Sequence, residues 1–142
     1  MAGVYFTFEN FIALLELNIG MSTRLDENRA ESFTVLYCDF TSQEQDIIRM
    51  SLEQTLRNSD AVLSHHGHYF FVLPYTDKYG ATNVKNMFEE FFDGFIPAVE
   101  VSYPADGETP LELIEELQFQ ARQRLDTDLL FLDPGKLSGT QQ

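Results

Sequence analysis

Basic residues, cysteine and tryptophan are all scarce in this chain. Nine Lys and Arg stand against 23 Asp and Glu, a formal charge of −14 over 142 residues. A field of that sign repels phosphate backbones and anionic headgroups, which makes nucleic acid and membrane surfaces poor partners. No apolar run approaches the ~20 residues that span a bilayer. The opening Met1 to Phe6 has no basic n-region before Glu9 interrupts it, so no export signal is expected. A single cysteine, Cys38, excludes an intramolecular disulfide and fits a cytoplasmic protein. Set in a strand-like run, Cys38 reads as a small buried hydrophobe rather than a working thiol. With no Trp, five Pro and eight Gly, the composition is not that of a low-complexity chain.

What is present is apolar mass. A 44% apolar fraction with 13 Phe and six Tyr can fill one core, and the length fits a single domain over residues 1–142. Phe8, Phe11, Ile12, Leu15 and Ile19 mark one face of a helix, with Gly20 where a C-terminal cap would stand. Polar residues Thr23 to Ser32 lead into Phe33 to Phe40, a β-branched and aromatic strand run with Asp39 at its C-terminal end. Ser42 and Gln45 have capping-box form and start a helix predicted to reach about Asn58. Ala61 to Ser64 and Tyr69 to Leu73 read as the two strands of a hairpin around His65-His66-Gly67-His68, with Gly67 free to take positive φ. On that reading His66 and His68 share a strand face and His65 points away.

A helix through Gly80, Val84, Met87, Phe88 and Phe91 follows Thr76-Asp77, then a strand over Ala98 to Tyr103 and a turn at Pro104 to Gly107. Thr109-Pro110-Leu111-Glu112 is the best helix start in the chain, combining a cap residue, proline at the first helical position and an acid at the third. Leu129 to Leu132 reads as a last strand, with a frayed, disordered tail from about 134 to 142. The order is helix, βαββαβ, helix, strand. It predicts an α+β fold, the split βαβ arrangement with helices on one face of a mainly antiparallel sheet, as in ferredoxin-like folds.

Three strings within that order resemble the GGDEF family of diguanylate cyclases, which have the palm-like fold of nucleotidyl cyclases. Arg57-Asn58-Ser59-Asp60, five residues, then His66-Gly67-His68-Tyr69-Phe70 resembles the family's inhibitory RxxD motif, spacer and signature hairpin. Leu73-Pro74-Tyr75-Thr76-Asp77-Lys78-Tyr79-Gly80-Ala81 resembles its lead into the next helix. Tyr103-Pro104-Ala105-Asp106-Gly107 resembles its following turn. Together they cover about residues 6–125. The resemblance implies a degenerate hairpin: His66 replaces the first signature glycine, His68 and Tyr69 replace the acids, and only Gly67 and Phe70 agree. An ungapped match from Leu73 would instead put His65 and His66 on the glycines, and both acids are lost either way. Asp39 matches the family's first-strand metal acid. One carboxylate does not replace the cluster that phosphoryl transfer uses to hold Mg²⁺, so no catalysis is expected.

Three readings of function follow, with no cofactor expected in the first. The domain is a regulatory module acting through another protein or self-association. Alternatively, it is a receptor for cyclic di-GMP, which the resemblance places at Arg57 and Asp60. A guanidinium fork suits phosphate there, and a carboxylate suits a guanine edge. Lastly, His65, His66 and His68 near Asp39 offer imidazoles for zinc, copper or nickel, or a patch that titrates between about pH 5 and 8. Glu89, Glu90, Glu112, Glu115 and Glu116 lie on polar helix sides and read as solvated faces.

Overall fold

The run from Ser32 to Cys38 carries apolar side chains on both sides of an extended chain, interrupted on one side by Ser32 and Thr34, and only a strand covered from both faces can bury it. In the computed structural model, which describes residues 2–25 and 31–137, this run lies in the central strand β2 (Glu31–Asp39), and every residue from Ser32 to Cys38 is buried. Before it come the two-residue strand β1 (Val4–Tyr5), a 3₁₀ turn at Phe8–Asn10 and helix α1 (Phe11–Arg24). After it come α2 (Gln45–Thr55), β3 (Ala61–His65), β4 (His68–Pro74), α3 (Lys78–Phe92), β5 (Ala98–Pro104) and α4 (Pro110–Leu125). The sheet order is β1-β3-β4-β2-β5, antiparallel throughout except for β1, which runs parallel to β3. From β2 to β5 the chain is βαββαβ with a mostly antiparallel sheet, an α+β arrangement.

The helices occupy both faces, not one. α2 and α3 bring Ile48, Leu52, Ala81 and Phe88 against Leu36, Cys38, Val62 and Phe71. α1 and α4 bring Phe11, Leu15, Ile114 and Leu117 against Val35, Tyr37, Phe70, Val72 and Val99 on the other face. Each Val, Leu, Ile or Phe among these gains about 1.5–3 kcal/mol from burial, so the second layer is what makes a β2 with apolar side chains on both faces stable.

Several boundaries differ from the sequence reading. α1 passes through Gly20 and ends at Arg24. Gly20 is exposed with open space where a Cβ would stand, so it costs helix propensity without capping anything. Ser42 does not cap α2: the N-cap is Glu44, whose side chain makes no capping bond, and the helix stops at Thr55 because Leu56 is extended. Leu129 to Leu132 is not a strand. It forms a 3₁₀ turn at Leu130–Leu132, with Leu129 and Leu132 buried in the α1/α4 core and Gln118 Nε2 donating to the Leu129 carbonyl at 3.0 Å. Nor does the chain fray at 134, since Pro134–Leu137 makes one helical turn, α5, that buries Leu137. Residues 138–142 of the expected disordered tail lie outside the described residues, as do residues 26–30 of the polar stretch before β2. Among the described residues no helix is long and apolar enough to cross a membrane.

Candidate functional site

The hairpin between β3 and β4 turns on two residues, His66 (φ 50°) and Gly67 (φ 87°). Two successive positive φ values match the right-handed twist of the flanking strands. Such a turn sets His65 directly opposite His68 in register, so these two share a face and His66 sits at the tip, contrary to the pairing expected from sequence. The missed signal was the length of the turn, since X-Gly as a two-residue loop fixes which residues oppose each other.

Asp39 lies beside the hairpin, opposite His68 in the β2/β4 register. Its carboxylate is already engaged, as Oδ1 accepts from the Thr41 N–H at 2.9 Å and from Thr41 Oγ1 at 2.6 Å. Thr41 also closes over the turn: a Cβ on Gly67 would meet Thr41 Cγ2 at 2.9 Å, and Phe40 N donates to the Gly67 carbonyl at 2.9 Å. The space above the glycine is therefore filled by the β2–α2 connection. Phe70 is fully buried in the α1/α4 core, and Tyr69 packs with Phe40 and Phe71 on the opposite face.

The three imidazoles do not converge on a point. His65 stacks on Phe131 at 4.5 Å between ring centroids and touches His66 at 4.4 Å, while His68 Nδ1 is bonded to the Tyr37 hydroxyl at 2.7 Å. Among the described residues no group of three or more His, Cys, Asp or Glu side chains is arranged to hold a metal ion. Burial pushes the basicity of His65 and His68 down. The neighbouring imidazoles add to this at both, while Asp39 opposes it at His68. Burial also pushes the Tyr37 phenol up, with Asp39 adding to it, and holds the Cys38 thiol well above its ordinary range. Cys38 is a fully buried core residue.

Arg57 and Asp60 sit at the other end of the β3/β4 pair, about 17 Å away for a five-residue strand. Asp60 is 2% exposed, and both its oxygens face Arg57: Oδ2 accepts from the Arg57 backbone N–H at 2.8 Å and Oδ1 from the guanidinium at 2.8 and 3.2 Å. Arg57 Nη2 also donates to the Pro74 carbonyl at 2.8 Å and Thr76 Oγ1 at 3.0 Å. The pair ties the α2–β3 turn to the end of β4.

The helix acids hold structure. Glu89 accepts from Lys85 and from the Ile96 N–H, Glu112 accepts from the Glu108 N–H, and Glu116 accepts from Gln120, while Glu90 and Glu115 face solvent. No family model and no curated protein matches the chain.

Proposed function

We propose that this chain is a non-catalytic regulatory domain of palm-like fold, a degenerate relative of GGDEF domains that acts through protein contacts. The observation that carries the reading is the state of Asp39 and Gly67. The Asp39 carboxylate beside the hairpin is engaged by Thr41, and the same residue occupies the space over the glycine where a phosphate would need to approach the backbone. Phosphoryl transfer needs both a metal-holding acid cluster and a phosphate cradle. The βαββαβ strand order supports the palm-like assignment. Exposed apolar side chains on an acidic surface, among them Phe95 at 75% and Tyr79 at 76%, support contact with proteins.

The receptor reading would require Asp60 to leave Arg57 and expose a carboxylate now buried, which is why the scaffold reading stands first. Arg57, half exposed, remains the only group of that pair within reach of a ligand. Calorimetric titration with cyclic di-GMP and with GTP, alongside product assay with GTP and Mg²⁺ or Mn²⁺, tests the assignment. The expected result is no heat of binding and no product. Cyclic di-GMP binding lost in Arg57→Ala would replace the scaffold with a receptor, and product formation that depends on Asp39 would overturn both.

A further inference from the structure

The C-terminal segment from Leu129 to Leu137 closes over the hairpin end of the sheet. Phe131 is its contact there, touching the rings of His65 at 4.5 Å, His68 at 5.1 Å, Phe8 at 5.6 Å and Phe70 at 6.1 Å. Both histidines therefore lie under one apolar ring, and His66 abuts the first of them. We propose that Leu129–Leu137 is a latch, closed while His65 and His68 are neutral and opened when they take up protons.

The physical case rests on this geometry. A neutral imidazole stacks on Phe131 as an aromatic surface, whereas imidazolium groups at His65 and His68 would stand against each other in register with their hydration partly blocked. In the neutral state the Tyr37 hydroxyl can donate to His68 Nδ1; a proton on Nδ1 reverses that bond, so the Tyr37 contact survives and the case for opening rests on the facing imidazolium charges and their blocked hydration. Among the described residues, other charged groups also face the pair. β2 supplies Asp39, which favours the cation at His68, and the turn supplies His66, which disfavours it at both. Glu9 within the 3₁₀ turn and Lys136 on α5 line the same concavity as His65 and Phe131, with opposite signs. Attraction of a cation to the Phe131 face works against opening, but at a partly exposed site is worth only about 0.5–1 kcal/mol.

The latch is held by hydrogen bonds and by buried leucines, so its pH response is read as a change in a rare opening. Gln118 donates to the Leu129 carbonyl and to Asp133 Oδ1, and Leu129, Leu132 and Leu137 are buried beneath it. Opening would uncover Phe8, Phe70 and the apolar underside of α4, a surface absent from the closed form. This holds whether or not the GGDEF resemblance does.

The sign follows from the lowered basicity of His65 and His68. The closed form binds protons less well than the open one, so closure is fully stable above the ordinary histidine range and weakens as pH falls through about 6.5. Amide hydrogen exchange of the full chain at pH 7.5, 6.5 and 5.5, corrected for intrinsic rates, reads this directly. Protection of residues 129–137 should fall by at least about threefold across that range while β2 and β4 stay protected. In H65Q/H68Q the loss should vanish, and in F131A the segment should be open at every pH. Should the double variant not fold, H65Q alone should reduce the loss, since it leaves the Tyr37 bond intact. Protection that does not change with pH, or a loss unchanged in the histidine variants, overturns the proposal.

Discussion

At the scale of single residues the Arg57–Asp60 pair is asymmetric, with Asp60 at 2% and Arg57 at 52% side-chain exposure. Truncating Arg57 leaves a buried carboxylate with only the backbone N–H of residue 57 as donor, while truncating Asp60 leaves a guanidinium that water and the Pro74 carbonyl can still satisfy. Arg57→Ala should therefore cost about 2–4 kcal/mol and Asp60→Ala about 1–2 kcal/mol, compared by urea unfolding at pH 7. Equal costs, or the reverse order, would show that the carboxylate is not the strained partner. The RxxD string itself was legible in the sequence, but its burial was not. Asp60 is covered because β1 crosses it, with Gly3 N donating to the Arg57 carbonyl and Val4 N to that of Asp60. Two residues, Val4 and Tyr5, carry no periodicity from which a strand could be read.

At the scale of elements, punctuation located α3 and α4, whereas the Ser42–Gln45 and Gly20 signals misplaced the ends of α2 and α1. α3 begins where Asp77 accepts from the Gly80 N–H at 2.8 Å, and α4 begins where Thr109 accepts from the Glu112 N–H at 3.1 Å with Pro110 behind it. Thr109→Ala removes that acceptor from a helix whose first turn is otherwise intact. A loss of about 1 kcal/mol is expected, seen as a lowered Tm, while Thr109→Ser should stay near the parent. No change in either variant would mean that Pro110 and the packing of Leu113 and Ile114 fix the start alone. Where punctuation was lacking, packing decided. Leu129 to Leu132 is apolar enough for a strand, yet the only edge beyond β2 belongs to β5, and that edge is guarded. Asp106 Oδ2 accepts the Ser102 N–H at 2.8 Å, Asp106 N donates back to the Ser102 carbonyl, and Pro104 has no N–H to offer. Such devices keep an edge from recruiting another strand. The run turns under α4 instead, and this placed Phe131 over His65 and His68, which are distant from it in the sequence.

At the scale of the whole molecule, charge is the dominant unspent term. The basic residues are largely paired: Arg49 with Asp46, Arg57 with Asp60, Lys78 with Asp106, Lys85 with Glu89, Arg122 with Asp128 and Arg124 with Glu100. The acids in excess of all nine basic residues give a net charge of −14 that must be held on one small surface. Added salt acts on both terms in opposite directions. It weakens the exposed pairs, worth about 0–1 kcal/mol each, and it screens the mutual repulsion of the surplus acids, whose range at low salt exceeds the spacing between them. The buried oxygens of Asp60 are shielded from either effect, so the loss is confined to rim pairs such as Arg49–Asp46, both members of which lie mostly in solvent. Repulsion is the larger sum, because many unpaired acids contribute and each interacts with all the others. Raising NaCl from ~20 to ~300 mM, which shortens the screening length from about 20 to about 6 Å, should raise Tm by roughly 3–6 °C. KCl at equal ionic strength should do the same, since screening depends on ionic strength and not on the identity of the cation. A fall in Tm with either salt would mean that the local pairs outweigh the global field, and the acidic surface would then have to be counted among the forces holding the fold together.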